Sequence, residues 1–148
     1  MPSFELERRF EAPVDIVWEV LTDHRAYQEW GAAKSATLEV EGEPEVNGVG
    51  AVRRLADGPV AVREKVLEFE PKSRFVYTVV SGAPVRDYRA TVTLEPQGRA
   101  TAVRWTVSFR GKVPFTGLFL KPLVRFVITT LMRKASAESA RRAKRASS

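Results

Sequence analysis

Chemistry in this chain is concentrated in polar side chains that fall on apolar strand faces. In VAVREKVLEF (60–69) the carboxylate of Glu64 shares a face with Val62 and Val66, because alternate side chains of a strand point to opposite sides. In AVRRL (51–55) the neighbours Arg53 and Arg54 must split between the two faces. One of them therefore points inward, and the spacing does not say which. Tyr77 lies between Phe75 and Val79; Tyr88 shares a face with Ala90, Val92 and Leu94; Trp105 sits among Val103, Val107 and Phe109. An inward Glu–Arg pair is costly in a dry interior unless it is paired or hydrated. Pockets for small molecules are mostly apolar with a few convergent polar groups. Two readings stand side by side: a polar end to a ligand cavity, or an ion pair, buried or at the rim, with no ligand role. Trp30, Trp105, Phe119 and Phe126 are core candidates.

Composition removes other chemistries. There is no cysteine, which excludes disulfides, thiolate metal sites, iron–sulfur clusters and cysteine nucleophiles. His24 is the one histidine, so no histidine-rich metal site can be built, and no metal or cofactor is expected. Its place in an Asp–His–Arg run at a helix end predicts an exposed or capping residue. No nucleophile-elbow sequence is present, and the glycines of NGVGAV (47–52) precede a strand, not the helix a phosphate loop requires.

The 148 residues suit one domain, and 44% hydrophobic with 28% charged residues is a globular composition. Net charge is +6. Arg133, Lys134, Arg141, Arg142, Lys144 and Arg145 face Glu138 alone at the C-terminal end, so five of the six net charges belong there and the body is close to neutral. This basic end is read as a solvated helix terminus, where cations favour the dipole, with weak contact to an anionic membrane as an alternative. Nucleic acid is not expected, since no aromatic residue is interleaved for base stacking. MPSFELERRF lacks an apolar signal core. The stretch 115–132 is broken by Lys121, Pro122 and Arg125, too polar for a membrane span. The cytosol is the expected compartment.

The elements that must hold these residues follow from periodicity. Residues 3–11 alternate as a half-buried strand; Pro13, Asp15 and the stripe Ile16, Val17, Val20, Leu21 predict a helix closing at Thr22–Asp23. A short helical turn runs from His24 to Trp30. Six strands then follow at 36–41, 50–55, 60–69, 74–80, 88–95 and 101–110, with links too short for a crossover helix, hence an antiparallel meander. Past Pro114 the period becomes helical, with Leu120, Leu123, Val124, Val127 and Leu131 on one face, widened by Phe119, Phe126 and Thr130. Pro122 predicts a kink there or a restart near Lys121.

A strand, two short helices, a six-stranded meander and a long helix, α+β overall, resemble the helix-grip fold of the START-like (SRPBCC) superfamily. In particular they resemble its bacterial polyketide cyclase/dehydrase and lipid transport proteins. FEAPVDIVWEVLTDHRAYQEW, with Asp23, Tyr27 and Trp30, is similar to the family's opening; GVGAVRRL, VREKVLEFEPKSRFVYTVVSG and DYRATVTLEPQGRATAVRWTVSFRG are similar to its hairpins. The resemblance covers residues 3–135. It implies a seven-stranded curved sheet around a C-terminal helix, forming a domain over 1–135 with a basic helical extension or tail at 136–148. It implies a small hydrophobic partner: a lipid, polyketide or related molecule bound between sheet and helix, or, alternatively, cofactor-independent polyketide cyclisation or dehydration with Glu64, Tyr77 or Tyr88 as acid/base groups. The expected cavity is lined by Tyr77, Tyr88, Val92, Trp105, Leu123, Phe126 and Val127, with Glu64 and Arg53 or Arg54 at its polar end. Its mouth is expected near Asn47–Gly50 and Pro122. Monomer and homodimer are both compatible.

Overall fold

The computed structural model describes residues 2–147 apart from Phe115. The strands are β1 (Ser3–Phe10), β2 (Ser35–Val40), β3 (Val52–Asp57), β4 (Val60–Glu70), β5 (Arg74–Ser81), β6 (Val85–Gln97) and β7 (Ala100–Gly111). The helices are α1 (Val14–Thr22), a 3₁₀ turn (His24–Gln28) and α2 (Gly117–Ala146). The strands form one antiparallel sheet in the order β1-β7-β6-β5-β4-β3-β2. This is the seven-stranded helix-grip architecture of an α+β protein.

Hairpins bring sequence neighbours together along the meander, and β1 closes the sheet on the far side of β7, with Phe4 opposite Val107 and Leu6 opposite Trp105. Thr101 anchors that corner by donating a buried 2.8 Å hydrogen bond to the Ala12 carbonyl. β3 begins two residues later than the pattern predicts, because Gly50 has a positive φ of 89° that interrupts extended backbone. At the β5–β6 turn Gly82 has φ 94°, and a Cβ there would collide with the Ala61 carbonyl; no other residue type fits.

One apolar cluster fills the concave side, with Phe10, Val17, Leu21, Val92, Trp105 and Phe109 among its fully buried members. α2 packs on α1, β1 and β7. It begins at Gly117 and passes through Pro122 without restarting at Lys121. Near its start the missing proline N–H costs a single helical bond.

The facing of α2 departs from expectation. Ile128, Met132, Ala135 and Ser139 are buried, and Leu120, Val124 and Leu131 are half-buried against the core. Leu123, Phe126 and Val127 are exposed. Apolar residues cover most of the first half of this helix, so periodicity alone does not pick the stripe that neighbours cover. Residue 135 falls inside the helix, and the segment beyond it is partly folded in: Ala143 packs against the core, and the mostly buried Glu138 carboxylate accepts bonds from Arg141 and Arg142, both at 2.8 Å.

Candidate functional site

The concave face of β3–β7 carries a polar cluster set in aromatic rings. Register settles the arginine: Arg53 stands opposite Leu38 on β2 and Glu64 on β4, so it points inward. Arg54 takes the opposite face and is half-buried. The Arg53 Nε donates to Glu64 Oε1 at 2.7 Å, and its Nη2 approaches the same oxygen at 2.6 Å. Its guanidinium lies over two rings, 4.7 Å from the Tyr27 centroid and 5.0 Å from that of Tyr77. Burial favours the neutral form of Arg53, but Glu64, Tyr27 and Tyr77 outweigh it and hold the guanidinium charged.

Rings extend the cluster across the sheet. Tyr77 meets Trp105 edge-on at 6.4 Å and Tyr88 at 6.1 Å. Val92 is buried opposite Trp105 and Phe75. Burial raises the Tyr77 hydroxyl pKa well above its usual value, reinforced by Tyr88 and Glu64; burial and Glu64 raise that of Tyr88 as well. Both phenols are thus neutral hydrogen-bonding groups near pH 7, and neither is a base.

The 3₁₀ turn supplies what the strand pattern does not reveal. Residues three apart eclipse on such a turn, so His24 and Tyr27 share one side, and Trp30 continues the spacing. Gln28 ties the turn to β2, its Oε1 accepting from the Ala36 N–H at 3.0 Å, and Asp57 Oδ1 on β3 holds the loop that follows, accepting from the Lys34 N–H at 2.9 Å. Tyr27 donates to the Leu21 carbonyl at 2.5 Å and stacks edge-on against Trp30. His24 is not the exposed residue expected from its helix-end position. It is 1% exposed, packed edge-on to Tyr27. Burial, aided by the Arg53 charge, pushes its pKa well below the usual value, so it is neutral at pH 7. The His24–Tyr27–Trp30 spacing was the available signal for this wall.

Several buried polar atoms here have no hydrogen-bond partner: Arg53 Nη1, both ring nitrogens of His24, and the indole N–H groups of Trp30 and Trp105. Buried polar groups are normally satisfied by protein or water. The structure therefore brings Arg53, Glu64, Tyr77, Tyr88, Val92 and Trp105 together, adds His24 and Tyr27, and leaves Leu123, Phe126 and Val127 outside on α2. Among the described residues no three His, Cys, Asp or Glu side chains gather to hold a metal ion.

The surface carries three described grooves. One of about 660 Å³ crosses the outer sheet face beside Arg74 and Arg104; one of about 270 Å³ lies between Arg86, Arg110 and Leu118; one of about 670 Å³ runs between Pro13, Ile16 and Ala143. None of these three is lined by the Arg53 cluster, by Asn47–Gly50 or by Pro122.

Residues 1–144 match the model of a family described as polyketide cyclase / dehydrase and lipid transport. The chain belongs to that family. Several solved structures share the fold. The Zhui aromatase/cyclase from Streptomyces sp. R1128 is 19% identical with a TM-score of 0.79, over 95% of this chain and 94% of that one. A START superfamily protein from Mycobacterium smegmatis is 13% identical with a TM-score of 0.72, over 97% of each. Norcoclaurine synthase from Thalictrum flavum, in complex with dopamine and hydroxybenzaldehyde, is 18% identical with a TM-score of 0.69, over 92% of this chain and 84% of that one. No curated protein matches the chain in sequence. The family description unites cyclisation, dehydration and lipid transport, roles that share a small and largely apolar ligand.

Proposed function

We propose that this protein binds a small amphipathic molecule, of polyketide or aromatic type, against the concave face of the sheet, with an acceptor oxygen of the ligand on Arg53. The observation that carries the reading is Arg53 Nη1: a nitrogen of a charged, buried guanidinium, fixed by Glu64 and two rings, with no partner. A carbonyl, carboxylate or phenolate oxygen would satisfy it, and the Trp105 indole N–H offers a second donor beyond Tyr77. Tyr77, Val92 and Trp105 are almost fully buried, so the ligand requires the apolar packing to open. The first half of α2 is the element to move, since Leu120 and Val124 are only half-buried there. Supporting the alternative of catalysed cyclisation or dehydration is His24, a neutral imidazole whose two nitrogens lack partners. Glu64 is engaged by Arg53 and the tyrosines are not bases, so the proton acceptor would have to be this histidine, a weak one because burial and the Arg53 charge disfavour its protonated form.

The test uses 8-anilinonaphthalene-1-sulfonate, an apolar aromatic with an anionic acceptor, followed by quenching of tryptophan fluorescence. Micromolar binding is expected. The paired replacement Arg53→Met with Glu64→Leu removes both charges together and is expected to weaken binding at least about tenfold, since a hydrogen bond to a charged group contributes about 1.5–3 kcal/mol. Equal affinity of the folded double variant and the wild type would remove Arg53 from the site.

A further inference from the structure

We infer that the first half of α2 is a docking surface for an anionic lipid bilayer, a property that goes beyond the ligand reading and does not depend on it. Five large apolar side chains project from this half-helix into solvent: Leu118 is 73% exposed, Phe119 83%, Leu123 59%, Phe126 67% and Val127 53%. Val113, in the preceding loop, is 63% exposed. Single exposed apolar residues need no explanation, but a contiguous set of this size marks an interaction surface. At 100° per residue, Leu123, Phe126, Val127 and Phe119 share one flank of the helix, adjoining the half-buried Leu120 and Leu131. Lys121, Arg125, Thr129 and Arg133 occupy another, where Arg125 lies 5.9 Å over the Phe4 ring on edge strand β1.

Charge selects the occupant. From Pro96 to Ala137 the chain contains no aspartate or glutamate, while Arg110, Lys112, Lys121, Arg125, Arg133 and Lys134 fall within it. Of these cations Arg133 adjoins the apolar flank and Arg125 lies farther round, both exposed; an exposed apolar flank on a basic segment without acids suits a membrane interface. Each nearby Lys or Arg strengthens such binding when the lipid is anionic. The groove of about 270 Å³ between Arg86, Arg110 and Leu118 opens at the same end of α2, with Asp87 3.8 Å from Arg110. Membrane contact is thereby assigned to the start of α2, whereas at the basic C-terminal end Arg141 and Arg142 are engaged by Glu138.

Co-sedimentation with large vesicles tests this, using phosphatidylcholine alone and phosphatidylcholine mixed with phosphatidylglycerol. The wild type is expected to sediment with the mixed vesicles only, and less as salt rises. Phe119→Asp with Phe126→Asp is expected to cut partitioning about tenfold or more, since a phenyl group fully withdrawn from water is worth roughly tenfold or more in partitioning. These side chains touch little of the fold, so the variant should melt as the wild type does. Lys121→Glu with Arg125→Glu should also abolish binding, whereas Arg141→Gln with Lys144→Gln should retain it. The inference is overturned by an absence of sedimentation, by equal binding to phosphatidylcholine alone, or by full binding of the double phenylalanine variant. It is equally overturned by loss confined to the Arg141/Lys144 variant, or by a wild-type dimer that Phe126→Asp splits in a protein that ignores vesicles.

Discussion

Glu64→Ala is expected to destabilise the protein by about 3–5 kcal/mol, the cost of leaving a buried charge without its partner. Arg53 is 2% exposed, and among the described residues its one carboxylate partner is Glu64. It cannot escape by losing its proton, because a guanidinium stays charged under any condition in which the fold survives. The rings of Tyr27 and Tyr77 offset part of the loss through contacts with the cation, which is why the lower end of the range is the safer figure. Arg53→Met introduced into the Glu64→Ala background should recover most of the stability, because the unpaired charge leaves with the side chain. Urea unfolding of the two single variants and the double variant measures the coupling as a thermodynamic cycle. Were Glu64→Ala to cost under about 1 kcal/mol, water would be reaching the guanidinium, and the pair would be a rim feature.

Acid should weaken the fold earlier than its carboxylates require. His24 is buried and neutral, with a pKa held well below its ordinary value by burial and then by Arg53. The unfolded chain takes up a proton at His24 near pH 6.5, whereas the folded protein does not until far lower. The contribution of His24 is therefore complete above pH 6.5 and is lost as pH falls below it, with a slope approaching about 1.4 kcal/mol per pH unit until the native pKa is reached. Glu68 and Glu138, whose pKa values are lowered in the fold, add their losses only in the carboxylate range. For Glu138 burial acts in the opposite direction and the Arg142 and Arg141 bonds prevail. In urea titrations between pH 7 and about 5, His24→Gln should flatten the slope while leaving the carboxylate-driven loss in place. An unchanged slope in that variant would mean that His24 takes up its proton inside the fold.

The strands were legible because each has one wet face and one dry face, which writes a period of two into the sequence. Their inward residues, Tyr77, Tyr88, Val92 and Trp105, followed from that alternation. Arg53 and Arg54 could not be separated, since adjacent arginines satisfy either phase, and only the pairing with Leu38 and Glu64 chooses between them. His24 was misread because a helix end is usually solvated; here the 3₁₀ turn lies against the sheet, held by Gln28. The facing of Leu123, Phe126 and Val127 was illegible for the opposite reason. α2 is apolar over so much of its early circumference that the covered stripe is decided by where α1, β1 and β7 stand, and that is tertiary information.

The closure of the sheet by β1 has a kinetic consequence. Every pairing from β2 to β7 joins strands adjacent in the chain, so the meander can zip up from short loops. Phe4 and Val107, by contrast, must meet from 103 positions apart, and long-range contacts repay their loop-closure entropy only after local ones exist. The β4–β7 hairpins are therefore expected to gain protection first in pulse-labelling hydrogen exchange, with the amides of β1 and its Ala12 corner following later. Until then β7 is itself an unpaired edge, with Trp105 and Val107 uncovered in the newly collapsed chain. Early protection of β1 amides would show instead that the first and last strands find each other before the meander between them is built.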